Sequence, residues 1–451
     1  EKLAHNLSDV LTEAGFAAKN ALLHVHNHAL GKNASLPGAL GLLARDGYRQ
    51  LLQVHDFAED FRPANYAHLA TALAGCSPAD MADQLYPQAG GIHYATLNRR
   101  VRAVLARAGI PDGQLHLLVN PVAEFGDLPG RDDARLAVAT ELGLAADELL
   151  FVYPVRGIRR KNLGEMLLLS ALDDRRAVYA VTLAPLNPTE AASFTRWHAV
   201  SAELGLPCRF DIGAAGRLPF EHVVAAADWL LTTSVAEGFG MVYLEAWLAG
   251  RPLAGRNLPE ITSDFVDHGL QLPHLYDQIR VPMHLVSAEA ARDDLGTAYR
   301  AACAAYGQPG ESPDTLEKHL DELMSDDAID FARLGSKLQQ TLIESAARQE
   351  TIRVALLAAN PKLAKWIRDT RVGDVAPTIR ANAAVVRDSY SLASAGRRLA
   401  EIYQAVWNCR AGGPAGGLPR GELILESFLD LQRLHPVRLE TCRPTNRASG
   451  A

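Results

Sequence analysis

The chain has 451 residues, more than one hydrophobic core usually organises, so two domains are the default. Lys and Arg total 45 against 52 Asp and Glu, a formal net charge of -7, and no long basic run interrupts that balance. This argues against a nucleic-acid partner. No apolar run is long enough to cross a bilayer, and the start Glu1-Lys2-Leu3 does not read as a secretory signal, so a cytoplasmic protein is expected. The chain begins on Glu, and residues ahead of it are not excluded. Cys76, Cys208, Cys303, Cys409 and Cys442 are scattered and form no CxxC, which suits a reducing compartment and buried thiols.

In chain order, residues 7–20 read as a helix. The apolar run from Ala21 reads as a strand that enters His24, His26, Asn27 and His28. Ser35 stands where it could cap a helix through Ala44. Gln50–Phe57 is a second strand with His55 and Asp56 near its end, followed by a helix over 64–75. Ile92–Leu97 is a third strand, Asn98 a cap for a helix through Ala108, and Leu115–Val119 a fourth strand closed by Asn120-Pro121. Arg131–Leu144 is a helix placed at the domain boundary. A second series of strands comes at 149–154, 177–183, 208–211, 227–231 and 251–254, alternating with helical stretches. The pattern predicts an α/β fold with mainly parallel sheets, in two Rossmann-like domains separated by a cleft. After about residue 287 the pattern is helical, including 328–359 with one break. Gly412–Gly417 reads as a flexible joint before a helix over 422–434. The expected domains are 1–145, 146–385 with a helical extension, and 386–451 with at least one helix crossing back to the first.

Two stretches carry chemistry. Glu237-Gly238-Phe239-Gly240 comes after a strand and opens a helix that holds Glu245. Two glycines permit a sharp turn, the helix N–H groups would face an anion, and two carboxylates could grip sugar hydroxyls. The same residues are also compatible with a helix start that places an acid at its N-terminus. Arg156-Gly157-Ile158-Arg159-Arg160-Lys161 sits at another strand-to-helix junction, and such a run focuses an anion or forms a solvated basic turn. Taken together, the two lie where open α/β sheets place ligands. His24, His26 and His28 alternate as metal ligands can. No nearby carboxylate or cysteine completes the set, and no metal is expected. His55 stands at a strand end as a candidate sugar contact or a structural histidine. His26, Asn27, Asp56 and Arg62 are weaker acceptor candidates. GxGxxG, GxxxxGK[ST] and GxSxG motifs do not occur.

With these residues in view, the chain resembles the retaining GT-B glycosyltransferases of family 4, the glycogen synthase and sucrose-phosphate synthase-like superfamily. The motifs cover roughly 20–270 and, more loosely, 385–407. The family's E-x7-E motif stands here as Glu237 to Glu245, and its Arg and Lys five residues apart fall on Arg156 and Lys161. Asn120-Pro121-Val122 is similar to the segment before the interdomain region, and Pro259-Glu260-Ile261 to an element after the donor site. The resemblance implies that Arg156 and Lys161 bind a donor diphosphate, with Glu237 on the transferred sugar, Glu245 on the ribose and His55 near the reacting centre. The Gly238–Gly240 loop with Phe239 would line the donor site. The family's opening strand and glycine loop have no counterpart ahead of the first histidine-bearing strand.

The expected activity is hexosyl transfer, with glucose the expected hexose, from a UDP-, ADP- or GDP-sugar to a small soluble hydroxyl acceptor. It proceeds with retention and requires no further cofactor. A homodimer through the helical region is a further expectation. A sugar phosphorylase or a non-catalytic sugar-nucleotide-binding protein are the alternatives.

Overall fold

The computed structural model describes residues 1–73, 77–173, 177–214, 217–369 and 374–439. The chain folds into two compact units. Unit 1 comprises Glu1–Pro121, Ala302–Gly310 and Tyr390–Arg433; unit 2 comprises Val122–Ala301, Glu311–Ser389 and the described residues from Leu434. The α/β class with parallel sheets, expected from the alternating pattern, is what both units show.

Unit 1 holds four strands, β1 (Leu22–His26), β2 (Arg49–Val54), β3 (Ile92–Thr96) and β4 (Leu115–Leu117). They pair in parallel in the order β1-β2-β3-β4. One face of this sheet is covered by the helix Leu392–Asn408. Its Leu399, Ile402, Tyr403 and Val406 recur at helical spacing and meet Leu51, Ala95 and Leu118. The same face carries His24 and His93. Burial lowers the affinity of both imidazoles for a proton. His116, stacked on His93 with Nδ1 and Nε2 2.8 Å apart, is pushed down to about 4, by burial first and then by His93.

Unit 2 holds β5 (Leu149–Arg156), β6 (Ala177–Leu183), β7 (Cys208–Arg209), β8 (Trp229–Thr232), β9 (Leu253–Arg256) and β10 (Leu275–Tyr276). The order is β10-β9-β8-β5-β6-β7, with every pairing parallel. From β5 the chain winds outward to β7, then returns to β8 on the other side of β5. The loops after β5 and β8 therefore diverge from adjacent strands, the switch point at which open α/β sheets place ligands. The helix Leu163–Leu172 after β5 is buried on every side, as its nearly unbroken apolar sequence requires. Gly164 lets it approach its neighbours, since a Cβ there would stand 2.5 Å from Gln339 Oε1 and 2.8 Å from the Trp197 ring. Gly255 in β9 has φ +124°, and a Cβ there would fall 1.9 Å from the Thr232 carbonyl oxygen of β8.

Several expectations are corrected. Unit 1 ends at Pro121, not at 145, because the helix Arg131–Leu142 packs on Phe220–Ala226 and both Arg131 and Arg135 pair with Asp228. In the 386–451 segment, for which at least one helix crossing back to the first domain is expected, Tyr390–Arg433 belongs to unit 1 and Leu434–Leu439 to unit 2. The first helix is Lys2–Glu13, stopped before Gly15, whose φ is +85°. Ser35 makes no side-chain cap; Asn98 does, accepting from the Val101 N–H. The strand expected at 251–254 lies at Leu253–Arg256. Ala328–Asp330 is not helical but a strand, β12, antiparallel to β11 (Arg280–Pro282); helices come after it at Ser336–Arg348 and Glu350–Ala359. The glycine-rich joint is tied down, since Gly416 exchanges two backbone hydrogen bonds with Gln88, at 2.7 and 2.9 Å. Cys208 and Cys303 are buried free thiols and Cys409 is half-buried, while Cys76 and Cys442 lie outside the described residues. Among the described residues no helix is long and apolar enough to cross a membrane.

Two outcomes are expected. Gly255→Ala forces β8 and β9 apart and lowers the thermal unfolding midpoint by roughly 10 °C or more; an unchanged midpoint refutes the close approach. His28, 2% exposed, is held at about 4 by burial; its ring nitrogens make no well-formed hydrogen bond, and the Leu85 backbone only partly offsets the shift. The folded-state value lies below the unfolded 6.5, so the stability tied to neutral His28 is complete above pH 6.5 and is lost as pH falls towards 4. In urea titrations, His28→Leu should remove on the order of 3 kcal/mol of the decline across that window. Buried Glu59, raised to about 7 mainly by burial, shifts the other way in both proteins and does not mask the difference.

Candidate active site

The β5 strand ends at Arg156 with a bulge, and Gly157 begins the turn. A Cβ on Gly157 would sit 2.4 Å from the Phe194 ring, so only glycine lets the turn pack there. Arg159–Lys161 form one 3-10 turn, and Asn162 takes a left-handed conformation (φ 47°) before the buried helix. After β8, Thr233 and Ser234 lead to Glu237. The two loops are joined by backbone, since the Val235 N–H donates to the Arg160 carbonyl at 2.9 Å.

This rung brings the charges together. Lys161 Nζ bonds Glu237 Oε1, and Arg160 Nη1 bonds Glu237 Oε2 and also the Ala236 carbonyl, the latter at 2.8 Å. Ser234 Oγ donates to Glu237 Oε1 at 2.6 Å and lies 2.6 Å from the Tyr153 hydroxyl. The Thr233 hydroxyl donates to the Lys161 carbonyl at 2.9 Å. The Glu237 side chain is only 7% exposed. Burial by itself pushes its carboxyl up, but Lys161 and Arg160, with the bonds from Lys161 and Ser234, hold it down at about 2. Burial also pulls the Lys161 ammonium down, partly offset by Glu237. With hydrogen bonds on both partners, we read an ion pair at neutral pH. Lys161, buried, and Arg160, with its side chain 35% exposed, thus meet on the same carboxylate.

The other members of the basic turn are used differently. Arg159 clamps Glu190, with Nε and Nη2 3.1 and 2.9 Å from its two oxygens. Arg156, expected with Lys161 at a donor diphosphate, is exposed at the end of β5 and donates to the Ala184 carbonyl at 3.3 Å, and Arg160 joins Lys161 on Glu237. Gly240 has φ +85°, and a Cβ there would stand 2.7 Å from the Tyr243 ring; Gly238 needs no such conformation. Phe239 is buried edge-on against Phe265. The helix Val242–Leu248 uses part of its first turn's N–H groups internally. Tyr243, Leu244 and Glu245 donate theirs to the Gly240 and Met241 carbonyls. The half-buried Glu245 carboxyl is raised by burial. Pro259-Glu260-Ile261 opens the helix Pro259–Asp267, with proline in its first turn.

Behind the turn lies a saturated network that sequence reading missed. Arg256, 3% exposed, binds Glu165 through Nε and Nη2 and Asp330 through both terminal nitrogens, all at 2.7–3.1 Å. Tyr276 donates to Glu165 at 2.9 Å, as does the Asn162 amide. Ser234 and Tyr153 were also missed. The short Ser-x-x-Glu spacing could have suggested Ser234, but nothing local links Tyr153, 81 residues away in sequence.

In unit 1, His24 and His26 share a face as predicted and stack at 4.4 Å. His24 Nε2 lies 3.0 Å from Gln53 Oε1, an acceptor, so that nitrogen carries the proton and Nδ1 accepts from the Tyr403 hydroxyl at 2.9 Å. His26 Nδ1 and His55 Nε2 are 2.8 Å apart. That bond needs one N–H and one lone pair, so the pair carries at most one positive charge. The proton affinity of His55 is lowered by burial first and then by the neighbouring His26, against the raising effect of Asp56. Asn27, left-handed at φ 54°, accepts from the His55 and Asp56 N–H groups at 2.8 and 3.1 Å. Asp56 pairs with Arg62 at 2.7 Å. His28 is apart from the other two, buried between Tyr86 and Tyr94. Among the described residues no group of three ligating side chains could hold a metal.

No protein-family model matches the chain. It is 26% identical over 331 residues to the mannosylglucosyl-3-phosphoglycerate synthase of Petrotoga mobilis. That alignment takes in 71% of this chain and 62% of the relative, so the chain spans less than two thirds of that protein's length. Among solved structures, it is similar to HepE from Anabaena in complex with UDP (14% identity, 90% of this chain and 82% of that one, TM-score 0.48). It is also similar to sucrose-phosphate synthase from Thermosynechococcus elongatus (14%, 90% and 77%, TM-score 0.45). These neighbours are GT-B glycosyltransferases, the group that the sequence motifs resemble.

Lys161→Met should leave Glu237 buried with one cation fewer and cost about 3 kcal/mol at pH 7. Because Glu237 is depressed from 4.5 to about 2, the wild type keeps this contribution above pH 4.5 and loses it as pH falls towards 2. The variant's urea midpoint should vary less across that window. Matching pH profiles would reject the pairing.

Proposed function

We propose that the chain is a GT-B glycosyltransferase that moves a hexose from a nucleotide diphosphate sugar to a hydroxyl acceptor. The observation that carries this reading is the Arg160–Lys161–Glu237 cluster at the sheet's switch point. It is a pre-formed pair of cations, Lys161 buried and Arg160 half-buried, that meets on Glu237, a carboxylate held by hydrogen bonds. A diphosphate brings further negative charge and acceptor oxygens to this pair. As it binds, Glu237 is released from its cations and its oxygens become acceptors for sugar hydroxyls. Glu245, half-buried on the helix that comes after the glycine loop, takes the ribose hydroxyls, and His55 contacts the transferred sugar. Arg156 remains a contributor to the diphosphate from the exposed end of β5. In this scheme unit 2 is the donor domain and unit 1 the acceptor domain.

The reaction proceeds with retention. The acceptor oxygen bonds the anomeric carbon on the face from which the leaving phosphate departs, the bond from that carbon to the phosphate oxygen breaks, and the acceptor's proton passes to the leaving diphosphate. Cations at the diphosphate stabilise the charge that grows there. The chemistry needs no further cofactor. Glucose to a small soluble acceptor is the first choice. The name of the Petrotoga mobilis relative favours a second, in which a mannosyl or glucosyl group is added to an acidic sugar-phosphoglycerate. A phosphorylase would instead place inorganic phosphate on Arg160 and Lys161.

The test is a thermal-shift screen with UDP-, ADP- and GDP-hexoses, then turnover with the stabilising donor and an acceptor panel that includes phosphoglycerate and its glucoside. Stabilisation and transfer with one nucleotide sugar are expected. Turnover only with a sugar 1-phosphate and free phosphate would establish the phosphorylase instead. With the active donor, Lys161→Ala should lower kcat/KM by about a hundredfold or more, and Glu237→Ala should lower kcat at saturating donor. A folded Lys161→Ala enzyme with normal turnover sinks the assignment.

A further inference from the structure

The chain leaves unit 1 at Arg433, and its next described residues, Leu434–Leu439, return to unit 2. They form a short strap that is almost wholly buried: Leu434, Val437 and Leu439 are 0%, 4% and 1% exposed. Hydrogen bonds fix it in place. Arg333 Nη1 donates to the Leu434 carbonyl at 2.7 Å, His435 Nδ1 donates to the Ala332 carbonyl at 3.1 Å, and the Arg438 N–H closes a turn on the His435 carbonyl at 2.9 Å. Burial of the three aliphatic side chains offsets a large part of the entropy lost in ordering the segment.

The surface under the strap gives it a role. Its turn Pro436–Leu439 packs against the Arg159–Lys161 turn. Val437 closes a small apolar cluster with Val235 and Ala332. Val235 is the residue whose N–H bonds the Arg160 carbonyl, the backbone rung that ties the cation loop to the carboxylate loop. Glu237 comes two residues later. The strap therefore bears on the rung that sets the spacing of Arg160, Lys161 and Glu237. His435, held well below its ordinary value by burial and then by Arg333 and Arg256, is neutral there and adds no charge to the cluster.

We infer that Leu434–Leu439 is a positioning element of the anion site, acting through Val437 on the Val235–Arg160 rung. The inference rests on the nucleotide-sugar reading above. Its test uses the full chain with Val437→Asp, Val437→Ala and Val437→Ile, and measures the Kd for UDP, ADP and GDP by calorimetry beside the unliganded Tm. The nucleotide that binds wild type should bind Val437→Asp about tenfold more weakly and Val437→Ala about threefold more weakly, while Val437→Ile restores affinity. A merely structural strap would lower Tm and leave the Kd of the folded protein unchanged, and that result overturns the inference. If Val437→Asp does not fold, Val437→Ala decides alone by the same criterion. Wild type that binds none of the three nucleotides refutes the nucleotide-sugar reading, and the inference falls with it. Wild type that binds and loses binding in Lys161→Ala upholds that reading, whatever the strap variants do.

Discussion

Two cations that stand side by side on one turn need a negative charge, and in unit 2 Glu237 supplies it. Arg160 and Lys161 repel each other at close range, an effect most strongly felt by Lys161, which is buried where water screens little. The carboxylate between them makes the arrangement stable, and Ser234 with Tyr153 keeps the carboxylate in place. Most of the surrounding construction serves this contact. Gly157 allows the turn to pack under Phe194, Asn162 bends the chain into the buried helix, and the Val235–Arg160 rung holds the two loops together.

The neighbouring Arg256 network has the opposite balance of charge. There one guanidinium faces two carboxylates, Glu165 and Asp330, and its terminal nitrogens and Nε are all engaged. That network joins the Leu163–Leu172 helix, β9 and β12, and it leaves no cation for a ligand. Buried ion pairs of this kind are costly to break, whatever they add in net stability. In the Glu237 cluster two cations, one of them half-buried, meet on one carboxylate, and it is this arrangement that the proposed donor site draws on.

Unit 1 poses a different problem, because its polar residues are mostly imidazoles. Along the sheet face, His24, His93 and His116 are kept neutral by burial, while His26 and His55 share one hydrogen bond at the strand ends. Neutral imidazole supplies one donor and one acceptor, which suits hydroxyl-rich ligands as well as it suits packing under the helix Leu392–Asn408. That helix also shows why its packing partners could not be read from the local sequence. Its apolar stripe was legible, but Leu51, Ala95 and Leu118, which the stripe meets, lie far earlier in the chain.

The sequence by itself determined the α/β class, most of the strands, and the two loops that carry charge, because these depend on local periodicity, glycine placement and residue type. Asn98 as a cap and the shared face of His24 and His26 were equally local matters. Only the tertiary structure decided which cation meets Glu237. Arg156, Arg159, Arg160 and Lys161 are interchangeable as a run of charges, but the β5 bulge and the 3-10 turn send each in its own direction: Arg156 to a carbonyl, Arg159 to Glu190, and Arg160 with Lys161 to the acid. It also decided that Ala328–Asp330 is a strand, since β11 supplies its hydrogen bonds from a distant part of the chain. The strap at Leu434–Leu439 belongs with these long-range facts. Its residues carry no motif, and its place is set by the apolar surface that Val235 and Ala332 present to Val437.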